Sequence, residues 1–299
     1  MKILLLGGNG QVGTECRRAL NGLGELMVAT RAGEHGVAAD FSAPETLRAL
    51  VQATAPDVVV NAAAYTAVDQ AESERDLAFL VNAQSPRVLA EACKAQGAYL
   101  LHYSTDYVFD GQGQRPYRPE DATAPLGVYG ESKLAGEEAI RASGCEHAIL
   151  RTAWVYAHHG KNFLLTMLRL AAERDELRVV ADQYGTPTPA ALIADVTAQI
   201  LAKPERPSGT WHLTPTGSTT WHGFAEAIVE GAHAQGLLAK KTPVRPITTA
   251  DFPTPARRPA YSVLDVTCLE HDFALTLPDW RSGLAATLEQ LTAIRHGAG

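Results

Sequence analysis

Apolar residues follow two rhythms along the first half of the chain. Short unbroken apolar runs lie at Lys2–Leu6, Leu26–Thr30, Asp57–Asn61, Tyr99–Tyr103 and Ala148–Ala153. Between them, at Thr14–Asn21, Pro44–Thr54, Ser85–Gln96 and Gly130–Ala142, apolar residues return every three to four positions. The first rhythm predicts strands buried on both faces, and the second predicts amphipathic helices. Pro44 suits a helix's first turn, where its missing N–H costs nothing. Strand–helix alternation of this kind predicts an α/β fold, a Rossmann-type doubly wound parallel sheet.

The rhythm changes after Tyr156. Asn162–Arg174 and Ala190–Ala202 read as helices, Gln183–Pro189 as turn-rich and Thr210–Leu213 as a short strand. Pro243, Pro246, Pro253, Pro255 and Pro259 exclude a continuous helix across their span. A last helix is expected over Ser282–Arg295. The expected division is 1–156 for the sheet domain, with a return segment near 176–202, and 157–299 mainly for a smaller, loop-rich C-terminal α/β lobe. No internal repeat or low-complexity tract is visible.

Composition narrows the function. The chain has 299 residues, 46% hydrophobic and 20% charged, enough for a large core. A net charge of −7 argues against a nucleic-acid partner. The four cysteines are scattered with no C-x-x-C pair, so neither a zinc knuckle nor a disulfide framework is expected. The opening MKILLL is too short for a secretory leader, and no apolar stretch approaches the ~20 residues of a membrane span. A cytoplasmic protein with no membrane partner is the expectation.

Chemistry enters at the ends of the expected strands. Gly7-Gly8-Asn9-Gly10-Gln11-Val12-Gly13 lies between a strand and a helix. Glycines there allow a tight turn and close approach of a pyrophosphate, which the helix N-terminus attracts. Where an NAD-selective site would carry an acid after the next strand, Arg31 stands instead, suited to a ribose 2′-phosphate or simply to solvent. Asp40-Phe41 is placed to lie beside an adenine. Asn61-Ala62-Ala63-Ala64-Tyr65-Thr66 puts small residues at a strand's carboxyl end, where open α/β sheets bind ligands. Ser104-Thr105-Asp106 should face the same crevice. Tyr129 and Lys133 are spaced i, i+4, one helical face. A lysine cation beside a phenol should lower its pKa and ready it for proton transfer to a ketone.

With these residues in this order, the chain resembles the extended short-chain dehydrogenase/reductases. More narrowly it resembles their dTDP-4-dehydrorhamnose reductase family. The carrying segments are Gly10–Gly13, NAAAYTAVD at Asn61–Asp69, HYSTDYVF at His102–Phe109, YGESKLAGE at Tyr129–Glu137, RTAWVY at Arg151–Tyr156, DQYGTPT at Asp182–Thr188 and RPAYSVLD at Arg258–Asp265. The resemblance implies reduction of the C4 ketone of dTDP-4-dehydro-β-L-rhamnose by NADPH, with NADH as a tolerated donor. It implies Tyr129 as proton donor, Lys133 as the residue holding the nicotinamide ribose, and Thr105 as a hydrogen-bond donor to the ketone oxygen. Gly7, Asn9–Val12, Arg31, Asp40, Phe41 and Ala62–Thr66 would line the cofactor. Asp106 and Trp154 would contact the sugar. Position 65 is often histidine in relatives, and Tyr65 departs from that. Arg258 is open to two roles, the substrate diphosphate or a structural ion pair. A homodimer is compatible with the sequence.

Two other readings stay open. A nucleotide-sugar dehydratase or epimerase would recycle a held NAD, although Tyr107 stands where such dehydratases carry a glutamate. A non-catalytic regulatory subunit, resembling the methionine adenosyltransferase β subunit, would share the fold. The ten histidines form no H-E-x-x-H or comparable spacing, so no metal is expected.

Overall fold

The structure, a computed structural model, describes residues 1–34 and 36–297. Its main sheet has seven strands: β1 (Lys2–Leu6), β2 (Glu25–Thr30), β3 (Val37–Ala38), β4 (Val58–Asn61), β5 (Tyr99–Thr105), β6 (His147–Thr152) and β7 (Gly209–His212). Their order is β7-β6-β5-β4-β1-β2-β3, and every pairing is parallel. The apolar runs account for this. Ile3 to Leu6 and Val58 to Val60 are fully buried, because helices cover both faces.

Successive residues of β1 serve opposite layers. Ile3 and Leu5 pack with Cys16 and Leu20 near helix α1 (Gln11–Ala19). Leu4 and Leu6 pack against α2 (Pro44–Thr54), α3 (Ser85–Gln96) and α4 (Val128–Ser143) through Leu47, Leu89 and Ile140. The strand order turns at β1, with β2 on one side and β4 on the other. The loops leaving β1 and β4 therefore part and leave a crevice at their carboxyl ends.

Helix α5 (Phe163–Glu173) belongs to a second cluster, whereas α6 (Ala190–Leu201) lies on α1 beneath the main sheet. Strand β7 then joins the main sheet at β6. The loop-rich C-terminal region carries one more long helix than its glycines and prolines suggest. Helix α7 (Trp221–Ala234) was not anticipated; it opens at Thr220, whose side chain accepts the Gly223 N–H. Its Phe224 and Ile228 pack with Leu164 of α5 and with Trp280 and Leu284 of the last helix, α9 (Trp280–Gly297), preceded by the short α8 (Thr267–Phe273). Short strand pairs complete this region, among them Leu177–Val180 with Val244–Ile247.

Three boundaries move in a way that affects the site. Helix α1 starts at Gln11 rather than Thr14, β5 runs on to Thr105, and α4 begins at Val128. Thr105 and Tyr129 thus sit on regular elements and not in loops.

Candidate active site

The crevice begins at the glycine turn. Gly7 has φ +78°, and a Cβ there would lie 2.7 Å from the Ala63 nitrogen, so the β1 and β4 loops can touch only at glycine. Gly10 caps α1 with extended backbone and no side-chain acceptor, which leaves the first N–H groups of the helix available to an anion. A cavity of about 380 Å³ lies beside this turn, lined by Gly7, Asn9, Gly10, Arg31, Phe41 and Ala62 to Ala64, among others. A tight glycine turn, uncapped N–H groups and an adjoining cavity fit a dinucleotide.

Three expected contacts come out differently, and Arg258 takes one of its two open roles. The cavity does carry an acid: Glu34 lines it with Arg31, and its carboxylate accepts from Asn9 Nδ2 at 3.4 Å. The carboxylate sits four residues beyond the strand end, which a search at Thr30-Arg31 passes over. Asp40 does not line the cavity; its carboxylate accepts from the Ser42 N–H and hydroxyl at 2.9 and 2.7 Å. Tyr65 sends its hydroxyl to Glu74 at 2.8 Å, so only its backbone is in reach of the crevice segment. Arg258 forks onto Asp69 at 2.9 and 3.1 Å, the ion-pair alternative.

Asn82 was not anticipated. It accepts the Tyr65 N–H at 2.8 Å and donates to the Tyr65 carbonyl and to Ser132 Oγ, both at 3.0 Å. One side chain thus ties the β4 loop to α4. No local motif marks it, because its partners lie 17 and 50 residues away.

A second cavity, of about 480 Å³, continues from Gly10–Val12 and Thr66 past Thr105, Asp106, Tyr129 and Lys133 to Trp154, Lys161 and Trp221. The sequence-predicted catalytic trio therefore meets in one place. Lys133 is 2% exposed, and its Nζ donates to the Tyr103 carbonyl at 2.7 Å. Burial pushes its pKa down to about 8. Tyr129 differs from expectation. Burial pushes its phenol up to about 12, with the Thr105 hydroxyl pulling the other way. Desolvation of the phenolate dominates, the Asp106 carboxylate adds to it, and Lys133 contributes no offsetting pull. Tyr129 is thus held as a neutral phenol, the donor form.

Asp106 is 2% exposed, and burial pushes its carboxyl up to about 6. Its Oδ1 accepts from the Thr105 hydroxyl at 3.0 Å. Among the described residues, Asp106 Oδ2 and Thr152 Oγ1 are buried without hydrogen-bond partners, and both residues line the cavity. Buried polar atoms are normally paired, so this wall suits a ligand rich in hydroxyls.

Trp154 forms the far wall. It has φ +47°, a strained value for a tryptophan and of the kind that collects at ligand sites. Its indole stacks on Trp221 at 3.6 Å and 9°, with Phe163 packed on Trp221 at 4.6 Å. A Cβ at Gly185 would lie 2.5 Å from Trp154 Cε2, which accounts for the glycine in the DQYGTPT segment. Trp221 and Lys161 were missed by sequence reasoning. The amphipathic pattern starting at Trp221 was the available signal.

Outside the cavity linings, Glu15, His158 and His159 bring potential ligand atoms within 4.8 Å of one another. Glu15 there accepts from Arg18 at 3.1 Å and faces His159 at 3.2 Å. A motif search does not find this group, since its members are far apart in sequence.

A dinucleotide crevice that opens into a Thr–Tyr–Lys site defines an extended short-chain dehydrogenase/reductase. Residues 1–293 match the family model for the RmlD substrate binding domain. The chain is 48% identical over 295 residues to the dTDP-4-dehydrorhamnose reductase of Escherichia coli K12, covering 97% of this chain and 98% of that one. It is 49% identical over 300 residues to that of Burkholderia thailandensis, covering 97% and 99%. The crystal structure of a Clostridium acetobutylicum dTDP-4-dehydrorhamnose reductase superposes with TM-score 0.89 at 37% identity, covering 97% and 99% of the two chains. A Bacillus anthracis dTDP-4-dehydrorhamnose reductase in complex with NADP superposes with TM-score 0.88 at 34% identity, with the same coverage. The chain belongs to the dTDP-4-dehydrorhamnose reductase family. No helix among the described residues is long and apolar enough to cross a membrane.

Proposed function

We propose that this chain reduces the C4 ketone of dTDP-4-dehydro-β-L-rhamnose to dTDP-L-rhamnose, with Tyr129 as the proton donor. The observation that carries this reading is the meeting of Thr105, Tyr129 and Lys133 in a cavity continuous with the glycine turn. Gly7, Asn9 to Val12, Arg31, Phe41 and Ala62 to Ala64 would hold the cofactor. Bound NADPH or NADH supplies the hydride.

The protein's own part is positioning and proton delivery. Thr105, fixed at the end of β5, orients the ketone oxygen beside the phenol. Tyr129, held neutral, donates its proton as negative charge grows on that oxygen, a contribution typically worth ~10²–10⁴-fold. Lys133 sits one helical turn further along the same face of α4, with one donor already committed to Tyr103. Asp106 and Thr152 present unpaired acceptors and Trp154 an apolar wall, together suited to a hydroxylated ring. Arg258 is left out of the substrate site, because its fork is taken by Asp69. A dehydratase would need a carboxylate at position 107, where Tyr107 stands.

The test is turnover of dTDP-4-dehydro-L-rhamnose with NADPH, followed by loss of the reduced-nicotinamide absorbance. Absence of turnover alongside tightly retained NAD would favour the dehydratase or epimerase chemistry instead.

A further inference from the structure

Among the described residues, no carboxylate touches Lys133. Besides the Tyr103 carbonyl, Nζ meets His102 Nε2 at 3.2 Å. Glu137, on the same helix, is engaged elsewhere: Arg151 holds its two oxygens at 2.9 and 2.7 Å, and Arg141 lies 3.2 Å from one of them. His102 is 1% exposed, and its Nδ1 lies 2.9 Å from Asn61 Nδ2. Asn61 is oriented in turn, because its Oδ1 accepts the Ala63 N–H at 3.1 Å.

These contacts decide where the imidazole proton sits. With Oδ1 on Ala63, Asn61 presents its NH₂ to Nδ1, so Nδ1 accepts. Burial keeps the ring neutral, pushing its pKa well below the ordinary histidine value. The single ring proton is then on Nε2 and faces Lys133. An Nε2–H complements the lone pair of a neutral amine and opposes an ammonium. An ammonium needs the reverse arrangement, with the proton on Nδ1, Nε2 accepting, and Asn61 turned so that its oxygen meets Nδ1.

We propose that Asn61 and His102 act on Lys133 as a tautomeric pair: the ring proton sits on Nε2 while Lys133 is a neutral amine and on Nδ1 while it is an ammonium, with the Asn61 amide turning between the two. The ring carries one proton in both states, and only Lys133 gains or loses one. His102 is thus a positioning residue that lets a buried lysine change charge without stranding a donor against a donor. The turn of Asn61 releases the Ala63 N–H, which lies in the cofactor-lining segment, so the charge on Lys133 is linked to that segment. Burial sets the pKa of Lys133 at about 8, where both charge states are populated near neutrality.

Two other titratable groups act on the pair: Glu137, which acts on Lys133 from the same helix and is itself held by Arg151, and His147 on β6, which acts on His102 and whose Nδ1 is 2.8 Å from the Cys145 carbonyl. The catalytic meaning of the switch rests on the reductase reading, but its geometry does not.

The test is long-range ¹H–¹⁵N correlation NMR on the full chain carrying ¹⁵N-histidine, without cofactor, from about pH 6 to about pH 10. His102→Gln assigns the signal. The expected result is an imidazole that never becomes doubly protonated and passes from the Nδ1–H to the Nε2–H form as the pH rises through the Lys133 titration. The transition should vanish in Lys133→Met. A His102 that keeps one tautomer throughout, or a transition that survives Lys133→Met, overturns the proposal. Asn61→Asp offers only acceptors to Nδ1, so it should raise the Lys133 titration, read at its ε-carbon, by at least about one pH unit, a tenfold change in proton affinity. An unchanged titration there also overturns it. None of these readouts uses a sugar nucleotide, so failure of the reductase reading would appear in the turnover assay alone.

Discussion

Cofactor choice tests the electrostatics of the crevice most directly. Arg31 and Glu34 line one cavity with opposite charges. A 2′-phosphate gains a charge-assisted hydrogen bond from Arg31, worth ~1.5–3 kcal/mol. Arg31 is exposed, which places the gain near the lower end, about tenfold in selectivity. Glu34 works against it. Unit charges about 4 Å apart in a water-like environment interact by ~1 kcal/mol, so the carboxylate cancels much of the gain and also offers an acceptor to a 2′-hydroxyl. The expected wild type prefers NADPH by less than about tenfold and accepts NADH. Arg31→Ala should lower kcat/KM with NADPH by about tenfold and leave NADH within about twofold. Glu34→Gln should raise the NADPH preference about threefold to fivefold, less at high salt. The assay is kcat/KM for each cofactor in the three proteins. Equal losses with both cofactors in Arg31→Ala, or an unmoved ratio in Glu34→Gln, would refute the argument that these two charges read the ribose.

Three further outcomes follow from the same geometry. Tyr129→Phe removes only the hydroxyl, so kcat should fall ~10²–10⁴-fold while the NADPH dissociation constant, read by fluorescence titration, stays unchanged. Gly185→Ala drives a methyl group into the Trp154 indole, so KM for the sugar nucleotide should rise while KM for NADPH stays put; equal changes in both would separate Trp154 from the substrate. Stability should fall as pH drops below about 6.5, because the unfolded chain protonates His102 and His212 while burial holds the folded pKa of His102 well below normal and that of His212 at about 3. Each histidine contributes about 1.4 kcal/mol per pH unit once fully titrating, and Asp106, raised to about 6, opposes one of them below that pH, so the unfolding free energy from urea titrations should fall by about 1.4 kcal/mol per unit between about pH 5.5 and about pH 4.5. A flat profile there would show that these groups exchange protons freely in the folded state.

The order of strands and helices in the first half could be read from the chain because both faces of the sheet are covered, which turns each strand into an unbroken apolar run. The glycine turn and the Tyr129–Lys133 pair were readable for a related reason, since a tight βα turn and one helical face are local demands. What escaped is non-local. Asn82 matters only because the β4 loop and α4 both come to it. Glu34 faces the same cavity as Arg31 only because of how the β2–β3 connection turns. Helix α7 was hidden by Gly223 and Gly231 in a stretch already rich in glycine and proline, so its apolar face counted for less than its breakers. The pKa of Tyr129 failed for the same reason: spacing places the cation one turn away, but burial depends on everything packed around the ring.

Helix α4 shows how a local pattern and a distant contact combine. Tyr129, Lys133 and Glu137 recur every four residues, so one face of the helix carries the proton donor, the cation and a carboxylate. The first two open on the cavity. The third is fully buried and gripped by Arg151 of β6, which sends one nitrogen of the same guanidinium to the Pro119 carbonyl at 3.1 Å. Burial alone would raise the Glu137 pKa, but the guanidinium beside it more than offsets that and holds the carboxyl below the ordinary range. A buried ion pair of this kind gives little net stability over an apolar pair of the same volume, whereas losing one partner typically costs ~3–5 kcal/mol. That asymmetry penalises register errors. A rotation or slide of α4 that misplaced Tyr129 relative to Thr105 would also pull Glu137 from Arg151 and strand a charge in the core. The pair therefore acts on chemistry through position: it ties the helix that carries the acid to the strand next to the one that ends in Thr105, so both ends of one helix face meet their partners together.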